Sequence, residues 1–235
     1  MFTVIIPAFN EEKSLGNSTF ISDLIKNLND DGFIDYEILI VNDGSTDKTE
    51  DLLNELKKKF NLIKVLSNAT NQGYGTALKI GINHSKFDTI IICDIDGTYP
   101  ADQIPNIINR YKNSQKNYSK PLDMIVAKRT GKHYWESFIK TFLRYILKFI
   151  VEWTSGHKIS DINSGLRIFS KKTVEAYLPK LSNFFSFSST LTVSYLLTNK
   201  SIEYYPVKYL FRKGDQNLSK VKLFRDSLRT LQYVF

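Results

Sequence analysis

The sequence contains a single cysteine, Cys93, and lacks any long hydrophobic run. One thiol inside an apolar segment excludes a disulfide framework and favours a reducing compartment. No stretch reaches the roughly 18 uncharged apolar residues of a membrane span. The apolar segment Thr3–Ala8 is short, contains a proline and precedes acidic residues, so it does not predict a signal peptide. Repeats, low-complexity tracts and linkers are also absent, and we expect one domain over residues 1–235.

The chain has an excess of basic residues. Lys and Arg number 32 against 24 Asp and Glu, which gives a net charge of +8. This excess predicts affinity for an anionic partner, such as nucleic acid, a lipid headgroup or a phosphorylated substrate. Charge alone does not choose among these partners.

The first 100 residues alternate between strand-like and helix-like patterns. Strands are predicted at Val4–Ile6, Tyr36–Val41, Ile63–Leu66, Thr89–Cys93 and, beyond this part, Met124–Ala127. Helices are predicted at Glu12–Leu28, Asp47–Phe60 (capped by Ser45 or Thr46), Gly75–Asn83 and, later, Trp135–Trp153. This order indicates an α/β fold with a mostly parallel sheet flanked by helices. Ligands of such sheets bind beyond the carboxyl ends of the strands.

Two carboxylates, Asp94 and Asp96, follow the apolar strand Thr89–Cys93. Because side chains alternate along a strand, both should point the same way and repel each other unless a cation lies between them. Mg²⁺ or Mn²⁺ takes oxygen ligands and commonly bridges to phosphates, so the pair suggests a metal that holds a diphosphate. Two solvated acids at a strand end explain this segment equally well.

Two other loops carry weaker signals. In VNDGSTD, Asp43 ends a strand and could accept hydrogen bonds from a ribose hydroxyl or a base N–H, and Asp47 can serve the next helix, although a loop with a helix cap explains the segment as well. In NQGYGTALKIGI, Gly73 and Gly75 precede a helix and could admit a phosphate or make a turn.

Together, the motifs resemble glycosyltransferase family 2. The motifs that carry the likeness are, in order, IIPAFNEE, IVNDGSTD, NQGYGTALKIGI, CDIDGTYPADQIP, VAKRTGK, SDINSGLRIF, FSFSSTLT and YLFRKGDQNLSK. They are most similar to the dolichyl-phosphate mannose synthase and polyprenyl-phosphate glycosyltransferase branch. The resemblance implies a GT-A fold and transfer of a sugar, with inversion, from a UDP- or GDP-linked donor to a polyprenyl phosphate. It also implies a nucleotide-sugar half over residues 1–118 and an acceptor-binding, membrane-facing half over 119–235.

The resemblance also implies roles for individual residues. The nucleotide sugar would contact Pro7, Ala8, Asn10, Glu11, Asp43, Gly73 and Asp94. Mg²⁺ or Mn²⁺ would be held by Asp94, Asp96 and Thr98, where many relatives carry glutamine in place of threonine. The acceptor phosphate would contact Lys128, Arg129, Arg212, Ser219 and Lys220. Asp94, Asp96, Asp161 and Arg212 would be the catalytic set, with Asp161 as a base or an orienting carboxylate.

Two segments predict contact with a membrane surface. Lys140, Arg144 and Lys148 form a basic stripe on a helix that is otherwise apolar, and residues 221–235 repeat the design. Packing of both helices against the sheet is the alternative. We expect a peripheral protein at the cytoplasmic face of a membrane, or one anchored by helices beyond residue 235, because the chain ends in mid-helix pattern.

Other functions remain open from the sequence. A sugar-phosphate nucleotidyltransferase shares the sheet and the acidic ligands, although its glycine-rich basic signature is absent after the first strand. A glycosyltransferase with a non-lipid acceptor and a non-catalytic membrane scaffold are further alternatives. A nucleic-acid partner would explain the charge but not the carboxylates, so we expect none. The sequence leaves a homo-oligomer open.

Overall fold

The computed structural model describes residues 1–16, 19–117, 121–131, 149, 151–153 and 156–210. Its strands are β1 (Phe2–Ala8), β2 (Tyr36–Asn42), β3 (Ile63–Ser67), β4 (Thr89–Ile92), β5 (Met124–Thr130), β6 (Arg167–Ser170) and β7 (Ile202–Lys208). Its helices are α1 (Glu12–Gly16), α2 (Phe20–Asp30), α3 (Thr49–Lys59), α4 (Tyr74–His84), a 3₁₀ turn (Ala101–Gln103), α5 (Ile104–Asn117), α6 (Lys171–Glu175) and α7 (Phe187–Leu197).

The strands form one seven-stranded sheet in the order β3-β2-β1-β4-β6-β5-β7. The neighbours β1 and β2, β1 and β4, β2 and β3, and β5 and β7 pair in parallel. Strand β6 runs antiparallel to both β4 and β5. The predicted α/β fold with a mostly parallel sheet is therefore confirmed. The carboxyl ends of β1, β2 and β4 meet at one edge, where the predicted polar clusters fall.

Side chains alternate between the two faces of the sheet, so the core is divided into two layers. In β1, Val4 and Ile6 pack with α2, α3 and α5, whereas Ile5 packs with α4 and α7 on the other face. Every residue of β1 is buried, as expected for a strand covered by helices on both faces. The helix–strand contact is close at Gly81 of α4, because a Cβ atom there would lie 2.5 Å from Ile5.

Two local predictions were wrong. The single helix predicted over Glu12–Leu28 is instead two helices, α1 and α2, and Thr19 precedes α2 as its non-helical N-cap residue. Ser45 and Thr46 do not cap α3 either: Asp47, which the sequence also assigned to this helix, accepts the hydrogen bond from the amide of Thr49 at 3.0 Å. The hydroxyl of Ser45 instead accepts a hydrogen bond from the amide of Asn10.

Candidate active site

The loop after β1 is joined to the loop after β2 by a series of hydrogen bonds. Asn10 has a left-handed backbone, with φ of 54°, and its side-chain oxygen accepts from the amide of Thr46 at 2.9 Å. The amide of Glu11 donates to Thr49 Oγ1 at 2.8 Å. The carboxylate of Glu11 accepts from Ser14 Oγ at 2.5 Å. The motifs IIPAFNEE and VNDGSTD therefore form one surface, and the polar groups of Asn10 and Glu11 help to hold it together.

Asp43 lies below this surface, 2% exposed, and organises the loop that leads into α4. Its Oδ1 accepts from the side-chain amide of Asn68 at 2.7 Å and from the amide of Gln72 at 3.0 Å. Its Oδ2 accepts from the amide of Gly73 at 2.7 Å. Gly73 has a φ of 105°, which favours glycine. The structure thus places the two predicted nucleotide contacts Asp43 and Gly73 together and gives Asp43 a loop-holding role.

Asp94 and Asp96 follow β4 in a turn at the same edge. Asp94 is half-buried, and its Oδ1 accepts from the hydroxyl of Tyr74 at 3.3 Å. Asp96 is 3% exposed, and its Oδ1 accepts from the amide of Thr98 at 3.0 Å and from the hydroxyl of Thr98 at 2.7 Å. Thr98 is fully buried. The structure therefore places Thr98 behind Asp96, where its hydroxyl orients that carboxylate.

The chemistry of this carboxylate pair fits a hard divalent cation. Both groups supply oxygen, which Mg²⁺ and Mn²⁺ prefer. Among the described residues, no cluster of three or more His, Cys, Asp or Glu side chains could hold a metal. Asp94 and Asp96 would therefore need further oxygen atoms from a ligand, and a diphosphate supplies them.

The second half of the described chain reaches this carboxylate pair through residues 161–165. A Cβ atom built on Gly165 would lie 2.8 Å from the carboxyl carbon of Asp94, so a larger residue here would force the carboxylate or the loop to shift. The hydroxyl of Tyr99 accepts from the amide of Gly165 at 2.9 Å and shares a hydrogen bond with Ser164 Oγ at 3.0 Å. Burial raises the pKa of Tyr99 above its usual range, so this hydroxyl keeps its proton. The turn that contains Asp94 and the loop 161–165 are thus fixed to each other.

Asp161 and Arg129 form a buried ion pair beside this contact. The Nε and Nη2 atoms of Arg129 each donate to one carboxylate oxygen of Asp161 at 2.8 Å, and the Arg129 amide donates at 3.2 Å. The side chains are 10% and 2% exposed. Burial alone would lower the pKa of Arg129, but Asp161 raises it well above its usual range. The residue predicted to contact the acceptor phosphate therefore also holds the predicted catalytic carboxylate.

Of the other residues predicted at the acceptor, only Lys128 lies among the described residues. Lys128 is exposed on β5, next to Arg129 in sequence and on the opposite face of the strand. The two side chains therefore do not form a joint site on one face. Arg212, Ser219 and Lys220 lie outside the described residues, as do the basic stripe and the segment 221–235.

Sequence reasoning missed three residues that shape the site. Tyr74 donates to Asp94 and stacks on Phe185, with ring centroids 5.4 Å apart. Arg167 is fully buried and donates to the carbonyls of the loop 161–165. Tyr209 lies with its ring 5.3 Å from the guanidinium carbon of Arg129. All three stand inside the quoted motifs, and a charged residue within the apolar run of β6 was the available signal for Arg167.

No helix among the described residues has both the length and the apolar character needed to cross a membrane.

Comparison with known proteins gives one family. The family model described as "Glycosyl transferase family 2" matches residues 3–178. A dolichyl-phosphate beta-glucosyltransferase of Trichomonas vaginalis is 28% identical over 175 residues, which cover 71% of this chain and 52% of that protein. An undecaprenyl-phosphate 4-deoxy-4-formamido-L-arabinose transferase of Edwardsiella ictaluri is 28% identical over 181 residues, covering 75% and 51%. The chain thus spans about half the length of these relatives.

The solved structures show the fold. Glucosyl-3-phosphoglycerate synthase from Mycobacterium tuberculosis, in complex with Mn²⁺, UDP-glucose and phosphoglyceric acid, superposes with a TM-score of 0.74 at 16% identity. The match covers 100% of this chain and 79% of that one. It confirms the expected GT-A architecture.

Proposed function

The chain belongs to glycosyltransferase family 2, and on this premise we propose that it moves a sugar, with inversion, from a nucleotide-diphosphate donor to a polyprenyl phosphate at a membrane surface. The observation that carries the proposal is the contact between Gly165 and Asp94. It joins the carboxylates suited to a metal diphosphate to the buried Arg129–Asp161 pair. The donor would bind on one side of this contact and the acceptor phosphate on the other.

On the donor side, Asp94 and Asp96 would hold Mg²⁺ or Mn²⁺. The bound ion would supply positive charge that neutralises the leaving diphosphate. Thr98 keeps Asp96 oriented, and Tyr74 keeps Asp94 oriented. UDP is the first donor base to test, because the M. tuberculosis enzyme was solved with Mn²⁺ and UDP-glucose. A GDP-linked donor remains the alternative.

On the acceptor side, the phosphate of the lipid would itself be the nucleophile. A phosphate oxygen would form the new bond to the anomeric carbon while the bond from that carbon to the nucleoside diphosphate breaks. A phosphate monoester is largely deprotonated near neutral pH, so Asp161 need not take a proton. Its role in the proposal is to orient Arg129, which with Arg212 and Lys220 would supply positive charge around the acceptor, while the Ser219 hydroxyl would donate a hydrogen bond to it.

A peripheral position at the cytoplasmic face of the membrane is part of the proposal. Phe149 and Trp153 are 68% and 75% exposed in helical residues at the end of the predicted basic and aromatic helix. In the predicted helix Trp135–Trp153, residues four apart would lie on the same side, and the two aromatic side chains would then present one apolar surface. Aromatic residues of this kind favour the boundary between headgroups and acyl chains.

The test is a product assay with labelled UDP- and GDP-sugars, polyprenyl phosphate and Mn²⁺ or Mg²⁺. Asp96→Asn keeps the shape of the side chain and removes its charge, and we expect product formation to fall at least about 100-fold, the scale of losing one main electrostatic group. Asp102→Asn is the matched control, because Asp102 is an exposed carboxylate six residues further along.

Two results would contradict the proposal. One is the absence of glycolipid with every donor, and the other is full activity of Asp96→Asn. Phosphoglyceric acid is included as a second acceptor, because the M. tuberculosis enzyme was solved with it. Product with this acceptor alone would favour a glycosyltransferase that acts on a non-lipid phosphate.

A further inference from the structure

Arg167, at the start of β6, is a fully buried cation. Its Nε donates to the carbonyl of Ser164 at 2.8 Å, and its Nη2 donates to the carbonyl of Ile162 at 2.8 Å. Its Nη1 donates to the hydroxyl of Thr192 on α7 at 2.7 Å. None of its hydrogen bonds among the described residues is to a carboxylate. Nη1 also donates to the sulfur of Met124 at 3.8 Å. The guanidinium therefore donates to two carbonyls of one short loop, one hydroxyl and one thioether sulfur.

This loop is the one that joins the two sides of the site. At one end, Asp161 holds Arg129. At the other end, Gly165 lies against Asp94, and its amide is fixed by Tyr99. The carbonyls that Arg167 holds belong to residues between these two ends. A shift of the loop would therefore move the Asp161–Arg129 pair relative to Asp94.

Stability alone is a weak reason for such a residue. Removing a charge from water is costly, and a well-packed apolar side chain in the same volume often makes a protein at least as stable. Hydrogen bonds from a rigid, planar guanidinium do fix the direction of several acceptors at once, which an apolar side chain does not.

We propose that Arg167 is a positioning residue, which sets the 161–165 loop so that the acceptor-side pair and the donor-side carboxylates are aligned for transfer. The proposal rests on the proposed function. Alignment errors of about 1 Å are known to cost on the order of 100-fold in rate, so weakening the contact that holds the guanidinium to α7 should reduce turnover more than donor binding.

Thr192 allows this idea to be tested without removing the arginine. Thr192→Val keeps the shape of the side chain and leaves Nη1 only the weak sulfur acceptor of Met124, whereas Thr192→Ser keeps the hydroxyl and removes a buried methyl group. We expect both variants to have a lower Tm. Only the valine variant should lose kcat, by about tenfold, with the donor KM changed by less than about twofold.

The control is Thr190→Val, another fully buried threonine of α7, which bonds to backbone groups of residues 182–187 and not to Arg167. It should lower Tm and leave kcat unchanged. Hydrogen exchange in the free protein gives a second readout. The amides of Asn163 and Gly165, which donate to Asp161 and Tyr99, should exchange faster in Thr192→Val and not in Thr192→Ser.

The outcomes separate this inference from the proposed function. If wild-type protein transfers no sugar, the proposed function fails, and the exchange data still decide whether Arg167 orders the loop. If wild type is active but kcat follows Tm through all three variants, or the amides of Asn163 and Gly165 exchange equally in Thr192→Val and wild type, the positioning role is wrong.

Discussion

Single side chains at this site depend on a neighbour for their orientation. Asp96 is held by the hydroxyl of Thr98, and Asp161 is held by the fork of Arg129. The contact explains what Thr98 does at the position where the resemblance leads us to expect glutamine: it orients Asp96. Its short side chain is buried behind Asp96. In our proposal the ligand set of the metal is therefore completed by diphosphate oxygens rather than by a third protein side chain.

The contact at Gly165 gives a prediction for one methyl group. Gly165→Ala would place a Cβ atom against the carboxylate of Asp94, so the carboxylate or the loop must move. Overpacking of this kind typically costs about 1–3 kcal/mol of stability. We expect sugar transfer to fall at least tenfold, on the order seen when reacting groups are misplaced. Chemical unfolding and the product assay measure the two effects.

Gly16→Ala is the control for this prediction. Among the described residues, no atom lies within 4 Å of a Cβ atom built on Gly16 at the end of α1, so the substitution adds the same methyl group without a comparable contact. Activity should be unchanged. Equal activity of the Gly165→Ala and wild-type proteins would contradict the role given to the close approach.

The sequence could predict where these residues lie, but not what they contact. Asp43, Asp94 and Asp161 stand at strand ends or turns, and strand order alone brings the first two to the same edge. Their partners come from distant positions, such as Asn68 for Asp43 and Arg129 for Asp161. A single sequence does not show which distant residues will pair, because the pairings depend on how the loops pack in three dimensions.

At the scale of elements, strands β1 to β5 were predictable, whereas β6 and β7 were not. Strands β1 to β4 are apolar runs separated by helices with clear periodicity. Strand β6 has four residues, including the buried Arg167, and inserts antiparallel between β4 and β5. A run this short has no measurable period. Its position is decided by packing of the whole second half.

Glu37 provides an element-scale prediction because it ties β2 to three other segments. Its carboxylate accepts from Thr3 of β1, from the ammonium of Lys64 on β3 and from the amide of Lys86. Burial would raise the pKa of Glu37, but these donors outweigh burial and lower it. The folded state therefore binds the proton less tightly than the unfolded state. Stability from Glu37 is present above the unfolded pKa of about 4.3 and is lost as pH falls through the folded value.

Glu37→Gln should consequently be less stable than wild type at pH 7, by about 1.5–3 kcal/mol for hydrogen bonds to a charged group. The difference should shrink as the pH falls below about 4.3. Urea unfolding at several pH values measures it. Glu55→Gln, on an exposed position of α3, is the control and should show no comparable loss. A constant difference between Glu37→Gln and wild type from pH 7 to pH 3 would contradict the assignment.

At the scale of the whole molecule, charge and exposed aromatic residues support the same proposed location. The net charge of +8 attracts an anionic surface, and this attraction weakens with salt. The exposed side chains of Phe149 and Trp153 would add an apolar contribution that salt does not screen. The two contributions can therefore be separated by experiment.

Trp153→Ser should weaken binding to vesicles that contain anionic phospholipid by about tenfold, equivalent to about 1.4 kcal/mol of lost burial. Ile34→Ser is the matched control, because Ile34 is an apolar residue 87% exposed in the loop before β2, and it should bind as wild type does. Sedimentation at low and high salt measures both. Because the lost burial is apolar, the ratio of the Trp153→Ser and wild-type affinities should not change with salt. If both variants lose affinity equally, binding is non-specific adhesion of exposed apolar groups, and residues 149–153 do not form the membrane-facing surface.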